Sequence, residues 1–302
     1  MSSAARPALL DTHVHFHDRS HPSLRWDWLD PDAPVDPTTG PDFAIRSRRY
    51  LPEDFAAETR FQRIAGVVHV QAALGSPDPV EETRWLQALA DAGGTPDAII
   101  GHVDLSRSDV GEQLARHRES PNFRGVRDLR YDDYLDNPSW RAGYAKLAGL
   151  VCCDDPLIED VGKVRRLVEA NPEVMLCIDH ACFPGLGGRP RAHEHADEQA
   201  WRAATGELAK EENVVVKISG LGVSDHRWTA ASVRPWISHC LEAFGADRCV
   251  LGSDWPLGRL YGSYGDTLAA YDEALSDLDG DERDAVFHGN AERIFAIEGG
   301  PR

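Results

Sequence analysis

Two histidines near the start of the chain, His13 and His15, have the spacing of a shared binding face. They lie in the segment LLDTHVH, residues 9–15, directly behind two leucines. Residues i and i+2 of a β-strand point to the same side, so both imidazoles can hold one metal ion or one substrate oxygen. An acid suited to join them, Asp254, lies near the other end of the chain, in the segment VLGSDWP, residues 250–256.

The spacing alone is weak evidence, because the chain has 13 histidines in 302 residues, and roughly one such pair is expected by chance. A second pair, His193 and His195, lies in a Gly/Pro/Arg-rich segment with no strand before it. A loop of that kind does not preorganise ligands. We therefore assign the chemistry to the first pair and expect no ligands from the second.

Composition limits the class of protein. A chain of 302 residues suits one large α/β domain, and barrels routinely exceed 250 residues. The net charge of −18 argues against nucleic acid or an anionic membrane as a partner. A local basic pocket for an acidic small molecule remains compatible with it.

The six cysteines form no CxxC pair, and several lie in apolar runs. This pattern indicates buried, reduced thiols in a cytoplasmic protein. The first seven residues are too short and too polar for a signal peptide, and no apolar run approaches ~18 residues. We expect neither an export signal nor a membrane segment.

Short apolar runs alternate with helical patterns along the whole chain, and no Pro/Ser linker divides it. Near-continuous apolar runs are typical of parallel strands buried on both faces. Eight strand–helix alternations predict a (β/α)8 TIM barrel, an α/β fold, as a single domain over residues 1–302. The eight predicted strands are Ala8–His15, Ile64–Ala72, Ala98–Leu105, Phe123–Arg130, Leu150–Asp154, Val174–Cys182, Val214–Leu221 and Cys249–Pro256.

The connection after the first strand, residues 16–51, is unusually long and contains Trp26, Trp28, Tyr50 and five arginines. A loop of this length in a compact domain is usually functional, and its place after a strand puts it on the active face of a barrel. Its aromatic content argues against disorder. We interpret it as a lid or pocket wall.

Active sites of barrels lie at the carboxyl ends of the strands, so the polar residues there are candidates. Asp254 can accept a proton from water or ligate a metal, and His180 can orient that water or bind the metal. Strand parity places Arg127 rather than Arg124 inside the barrel, and it turns Asp179 toward the helices. Further candidates are Gln71 and His69, which share a face, and His102, Asp104, Arg130, Lys217 and Ser219.

The motifs, in order along the chain, resemble the amidohydrolase superfamily, and within it the sugar-lactonase branch with relatives that hydrolyse sulfomuconolactone and pyrone dicarboxylate. The matching segments are DTHVHF, WDWLDP, YLPED, VQA, EETRWL, FRGVR, IDH, VKISGL, GSDWP and GNA. The resemblance implies that His13, His15, His180 and Asp254 form the catalytic set. Residues 152–154 are Cys-Cys-Asp, so a histidine is missing at the fifth strand end, and one divalent ion at most is expected.

The resulting hypothesis is a lactone hydrolase that acts on a small-molecule substrate. Asp254 and His180 are the expected catalytic residues. One divalent ion, with Zn²⁺ as the preferred candidate, is expected on His13, His15, His180 and Asp254. Some members of the branch need no metal, so a metal-independent enzyme is the alternative. Two rivals stay open: a metal-dependent decarboxylase of the same superfamily, and a binding protein with a decayed site. A homo-oligomer is compatible with the sequence, which leaves the oligomeric state open. The expected substrate-binding residues are Gln71, Arg127, Lys217, Trp28 and Trp255.

Overall fold

The structure is a computed structural model that describes residues 6–30, 48–130, 132–184 and 197–298. The second histidine pair, His193 and His195, and residues 31–47 of the long loop lie outside this part of the chain. No helix in the described ranges is both long and apolar enough to cross a membrane.

Eight parallel strands form one sheet in chain order, which confirms the predicted (β/α)8 barrel. Two further short strands pair with each other antiparallel, outside the barrel. The strands are β1 Leu9–Val14, β2 His17–Asp18, β3 Arg49–Tyr50, β4 Ile64–Val70, β5 Ala98–His102, β6 Phe123–Arg127, β7 Val151–Asp154, β8 Met175–Ile178, β9 Val214–Ile218 and β10 Cys249–Leu251.

The first and last barrel strands meet at their carboxyl ends. The amide of His15 donates to the carbonyl of Trp255 at 2.7 Å, and the Thr12 hydroxyl donates to the carbonyl of Leu251 at 2.7 Å. Gly252 lies at this junction, where a Cβ atom would approach the Cβ of His13 to 2.8 Å. A side chain at position 252 would therefore push β1 and β10 apart.

Helices connect the strands on the outside of the barrel. Their bounds are α1 Pro52–Thr59, α2 Val80–Gly93, α3 Val110–His117, α4 Pro138–Tyr144, α5 Val161–Glu169, α6 Glu198–Leu208, α7 Leu221–Ser224, α8 Ala230–Phe244, α9 Tyr264–Ala274, α10 Gly280–Asp284 and α11 Asn290–Ile294. A π-helical segment, Ala285–Gly289, joins α10 to α11.

Helix starts follow local capping chemistry. Asn137 caps α4 by accepting from the amides of Ser139 and Trp140, and Pro138 occupies the first turn, where its missing N–H costs nothing. The preceding helix along the barrel, α3, begins at Val110 with Asp109 in the N-cap position.

The apolar side chains form two layers. The barrel interior contains Leu10, Val68, Val70, Cys153, Cys177 and Val215, with Phe295 from beyond α11 in the same cluster. A larger cluster lies between the strands and the surrounding helices. Two apolar faces per strand explain the near-continuous apolar runs in the sequence.

The predicted strands are all present, but most end earlier than expected. The strand expected at Val174–Cys182 stops at Ile178, and the one expected at Cys249–Pro256 stops at Leu251. Asp179, His180 and Asp254 therefore lie in the loops that follow the strands. Strand alternation does not govern the side chains of His180 and Asp254, whose φ angles are positive.

The described ends of the long loop are tied to the barrel. β2 pairs with β3, joining His17 to Tyr50 and Asp18 to Arg49. The carboxylate of Glu58 on α1 then accepts from the Tyr50 hydroxyl at 2.7 Å and the Trp255 indole at 2.6 Å. This carboxylate links the end of the long loop to the segment that carries Asp254.

Candidate active site

His13 and His15 both point into the mouth of the barrel. Their Nε2 atoms are 3.1 Å apart, and the two residues are 0% and 5% exposed. The pairing of β1 with β4 shifts register between Asp11 and Val14, and the two imidazoles nevertheless share a face. The structure thus brings the pair together as its spacing indicates.

His180, which follows β8, and Asp254, which follows β10, reach the same place. The ring centroids of His180 and His13 are 4.6 Å apart, and Asp254 Oδ1 lies 3.4 Å from His15 Nε2 and 3.7 Å from His13 Nε2. His13, His180 and Asp254 each offer a ligand atom within 4.8 Å of the others. The four side chains predicted from the sequence form one cluster.

Unusual backbone conformations create this convergence. Four consecutive residues, His180 to Phe183, have positive φ angles of 51°, 48°, 57° and 48°, and Asp254 has φ 58°. Each such non-glycine residue costs about 1–2 kcal/mol, and strain of this kind concentrates at functional sites. Gly220 makes room for the turn, since a Cβ there would lie 2.6 Å from His180 Nδ1.

Hydrogen bonds orient the imidazoles. His15 Nδ1 lies 2.8 Å from the carbonyl of Val70; because a carbonyl only accepts, Nδ1 carries the proton and Nε2 presents a lone pair to the cluster. His180 Nδ1 lies 2.9 Å from the hydroxyl of Ser219, which turns its Nε2 inward. Such outer partners fix the ring orientation of metal-binding histidines.

Electrostatics favour neutral imidazoles at His13 and His180 beside an ionised carboxylate at Asp254. Burial lowers the pKa of His13, with help from the charge of Lys217, and burial also lowers the pKa of His180. Burial alone would raise the pKa of Asp254, but His180 and the hydrogen bond with His15 outweigh it and hold that pKa below its usual range. Neutral imidazole nitrogens and a carboxylate oxygen are the ligands that Zn²⁺ takes at catalytic sites. The donor set therefore fits one divalent ion.

Lys217 and Asp179 lie beneath His13 in the barrel interior. Lys217 Nζ donates to Asp179 Oδ1 at 2.7 Å, and both residues are 0% exposed. The expectation that Asp179 faces the helices is wrong. Asp179 continues the inward face of Cys177, and the left-handed turn that begins at His180 brings the next side chain inward as well. The predicted contact of Lys217 with substrate stays a prediction, and the described partner of its ammonium group is Asp179.

The arginines occupy the faces that parity predicts. Arg127 points inward, with Nη1 3.4 Å from Asp179 Oδ2 and Nη2 donating to the Gln71 carbonyl at 3.0 Å. Arg124 points outward and donates to the carbonyl of Ala296. The side-chain amide of Gln71 is buried, and neither of its polar atoms has a hydrogen-bond partner within the described chain.

The two candidate tryptophans differ in position. Trp28 lies beside the site, with its ring centroid 6.3 Å from that of His15 and its indole donating to the Ala72 carbonyl at 2.7 Å. Trp255 instead packs edge-on against Tyr264 and donates to Glu58. Its side chain forms part of this buried wall, and the predicted substrate contact of Trp255 stays a prediction.

His69 is a structural residue rather than a pocket residue. Its Nδ1 accepts from the amide of Phe16 at 3.1 Å, and its Nε2 lies 3.4 Å from Glu82 on α2. Glu82 in turn accepts from the amides of Ala72 and Ala73. The role of Glu82 as the buried partner of His69 was not predicted from the sequence. The signal that could have indicated it is the pair of glutamates, Glu81 and Glu82, at the start of an amphipathic helix.

An open depression of about 520 Å³ lies at the carboxyl ends of β5 and β6. Three aspartates line it, with Arg130 among them contacting Asp104 and Asp128. His102 is also in the wall, with Nδ1 3.2 Å from the Arg127 carbonyl. The surface beside Arg127 is therefore rich in hydrogen-bond acceptors.

A barrel of parallel strands that carries histidines and an acid at the carboxyl ends of its strands has the arrangement of a barrel enzyme. The sequence profile of the amidohydrolase family matches residues 10–297, and the chain belongs to this family of hydrolytic enzymes.

Two L-fucono-1,5-lactonases are among its relatives. The one from Burkholderia ambifaria is 33% identical over 72% of this chain and 77% of its own length. The one from Burkholderia multivorans is 30% identical over 95% of this chain and 96% of its own length. An amidohydrolase from Burkholderia multivorans, solved with bound zinc, superimposes with a TM-score of 0.79 at 27% identity over 96% of this chain and 99% of its own.

Proposed function

We propose that this protein hydrolyses a sugar lactone at the cluster of His13, His15, His180 and Asp254. The observation that carries the proposal is the convergence of these four side chains at the carboxyl end of the barrel, in a chain about 30% identical to two L-fucono-1,5-lactonases. The relatives supply the substrate class, and the geometry supplies the groups that the reaction needs.

Asp254 is the proposed general base. Its carboxylate is ionised and is held against His15 at 3.4 Å, so it can take a proton from a water molecule as that water attacks the lactone carbonyl. The same acid then returns the proton to the ring oxygen as the ester bond breaks. His180, fixed by Ser219, orients the water.

His13, His15, His180 and Asp254 are also the residues that would hold a divalent ion. When bound, such an ion polarises the carbonyl and makes water more acidic. Three residues are proposed to touch the substrate. Arg127 ends β6, Trp28 lies in the long loop beside His15, and Gln71 carries an amide whose buried polar atoms a bound substrate can satisfy.

Charge at the strand ends favours an uncharged, hydroxyl-rich lactone over a dicarboxylate. Arg127 lies against Asp179, and Arg130 contacts Asp104 and Asp128, so these two described arginines are already paired. The aspartates of the neighbouring depression accept hydrogen bonds from hydroxyl groups, whereas they repel carboxylates.

The test is a proton-release assay over a lactone panel that includes L-fucono-1,5-lactone, other sugar 1,5-lactones and 2-pyrone-4,6-dicarboxylate. We expect turnover of a sugar lactone and a loss of about 10²–10⁴-fold in Asp254→Asn, the range for removal of a general base. Asp277→Asn, which alters an exposed carboxylate on the outer surface, is the matched control and retains activity.

Unchanged turnover in Asp254→Asn would reject the assigned base. Release of CO₂ from a hydroxybenzoate, with no lactone hydrolysis, would establish the decarboxylase instead. The cytoplasmic location and any homo-oligomer stay predictions, the first supported by six free, buried thiols.

A further inference from the structure

The barrel interior holds a second group of potential metal ligands, directly beneath the histidine cluster. Cys153, Cys177 and Asp179 each offer a ligand atom within 4.8 Å of the others, and all three are buried. Thiolates and carboxylates are ligands for Zn²⁺ and other soft divalent metals. No role in the proposed hydrolysis uses the two thiols.

The Lys217 ammonium group occupies this place. Its Nζ lies 2.7 Å from Asp179 Oδ1, 3.7 Å from Cys153 Sγ and 3.5 Å from His13 Nδ1. Asp179 and Cys153 are two of the three potential metal ligands just described, and His13 belongs to the upper cluster of histidines. The amine of Lys217 is thus surrounded as a metal ion would be.

His13 is the bridge between the two levels. Its Nδ1 faces Lys217 and lies 3.7 Å from Asp179, while its Nε2 faces His15 and Asp254. A positive charge at the lower position therefore bears directly on one ligand of the upper cluster. A covalently attached ammonium supplies that charge permanently and cannot dissociate.

We propose that Lys217 serves as a built-in cation that fills a second metal position, so that the centre accepts one ion only and His13 is held in place for it. The like charge of the ammonium keeps a divalent ion from the thiols, and its hydrogen bond to Asp179 leaves that carboxylate engaged. The inference builds on the metal centre of the proposed function, but its test measures metal content and needs no substrate.

The experiment compares the wild-type protein with Lys217→Ala, both stripped of metal and titrated with Co²⁺ and Zn²⁺. We expect the stoichiometry to rise from one ion to two in Lys217→Ala, with thiolate-to-cobalt charge-transfer absorption that the wild type does not show. Adding Cys153→Ser and Cys177→Ser to this variant abolishes both changes. Lys163→Ala, which removes a lysine on the outer surface, is the matched control and binds like the wild type.

An unchanged stoichiometry without thiolate absorption in folded Lys217→Ala would overturn the proposal. If Lys217→Ala does not fold, the Cys153→Ser/Cys177→Ser double variant is used instead. This double variant is expected to keep its single ion, because Lys217 and not an ion fills the lower position. Loss of the ion in the double variant, or thiolate absorption in the wild type, would refute the proposal. A wild type without any ion, beside one thiolate-bound ion in Lys217→Ala, would reject the metal in the proposed function and support the built-in cation.

Discussion

The carboxylate of Asp11 accepts a hydrogen bond from the amide of Ser253, with 2.8 Å between Oδ1 and N, across 242 residues of sequence. The same side chain accepts from the amide of His13 at 3.2 Å and from the hydroxyl of Tyr264 at 2.9 Å. One buried acid thus sets the distance between the histidine pair and the loop that carries Asp254.

Replacing Asp11 with alanine is expected to lower the free energy of unfolding by about 3 kcal/mol, because it leaves buried donors without an acceptor. Tyr264→Phe removes one of the three hydrogen bonds and is expected to cost about 1 kcal/mol. Urea denaturation of both variants measures the difference. Equal losses in the two variants would show that Asp11 does not organise this junction.

Ser219→Ala removes the hydroxyl 2.9 Å from His180 Nδ1 and frees the imidazole to rotate. We expect metal affinity to fall by about 10–100-fold, the usual effect of losing an outer partner of a ligating histidine. Competition with a coloured chelator measures the affinity. Ser224→Ala is the matched control, since the buried hydroxyl of Ser224 has no hydrogen-bond partner among the described residues. A similar affinity loss in both variants would contradict the role of Ser219.

Gln71→Met replaces a buried amide that lacks partners by an apolar chain of similar volume. We expect the ligand-free protein to become more stable by about 1 kcal/mol and the KM for the lactone to rise about tenfold, because the substrate loses hydrogen bonds that the amide would make. Thermal unfolding and steady-state kinetics test the two effects separately. Gln113→Met removes a buried carbonyl oxygen without a described partner on α3, and it is expected to leave KM unchanged. An unchanged KM in Gln71→Met would remove Gln71 from the pocket.

The free energy of unfolding is expected to fall as the pH is lowered, because His117 is buried. Burial lowers the pKa of His117 from 6.5 to about 4, so between these values the unfolded chain binds a proton that the folded protein does not. The contribution is complete above pH 6.5, declines as pH falls toward 4, and amounts to about 3 kcal/mol. His117→Gln should flatten the pH dependence of the unfolding free energy in this window. A profile parallel to that of the wild type would contradict the assignment.

The barrel was predictable because each strand has two buried faces, and this produces apolar runs such as those of β4 and β9. His13 and His15 were predictable for a related reason. β1 ends at Val14, one residue before His15, so strand alternation still governs both histidines. Residues two apart in such a strand share a face.

The errors begin where strands end. Asp179 and His180 are neighbours, and alternation would turn them to opposite sides; a left-handed backbone at His180 points both inward. Trp255 follows Asp254 in a segment whose direction is set by contacts with Glu58 and Tyr264. Lys217 was correctly identified as a lysine that needs a partner, and only the structure shows that Asp179 is that partner.

The short ribbon of β2 and β3 has a consequence for how substrate range can change. Its pairing holds Asp18 beside Arg49, at the spacing of neighbouring strands, about 4.8 Å. A replacement for the intervening segment must close that gap and also restore the buried cluster that Leu24, Trp26 and Leu29 form with Ala72 and Ala73. Exchange of residues 19–48 under these two conditions would change the wall that carries Trp28, while His13 keeps its place on β1.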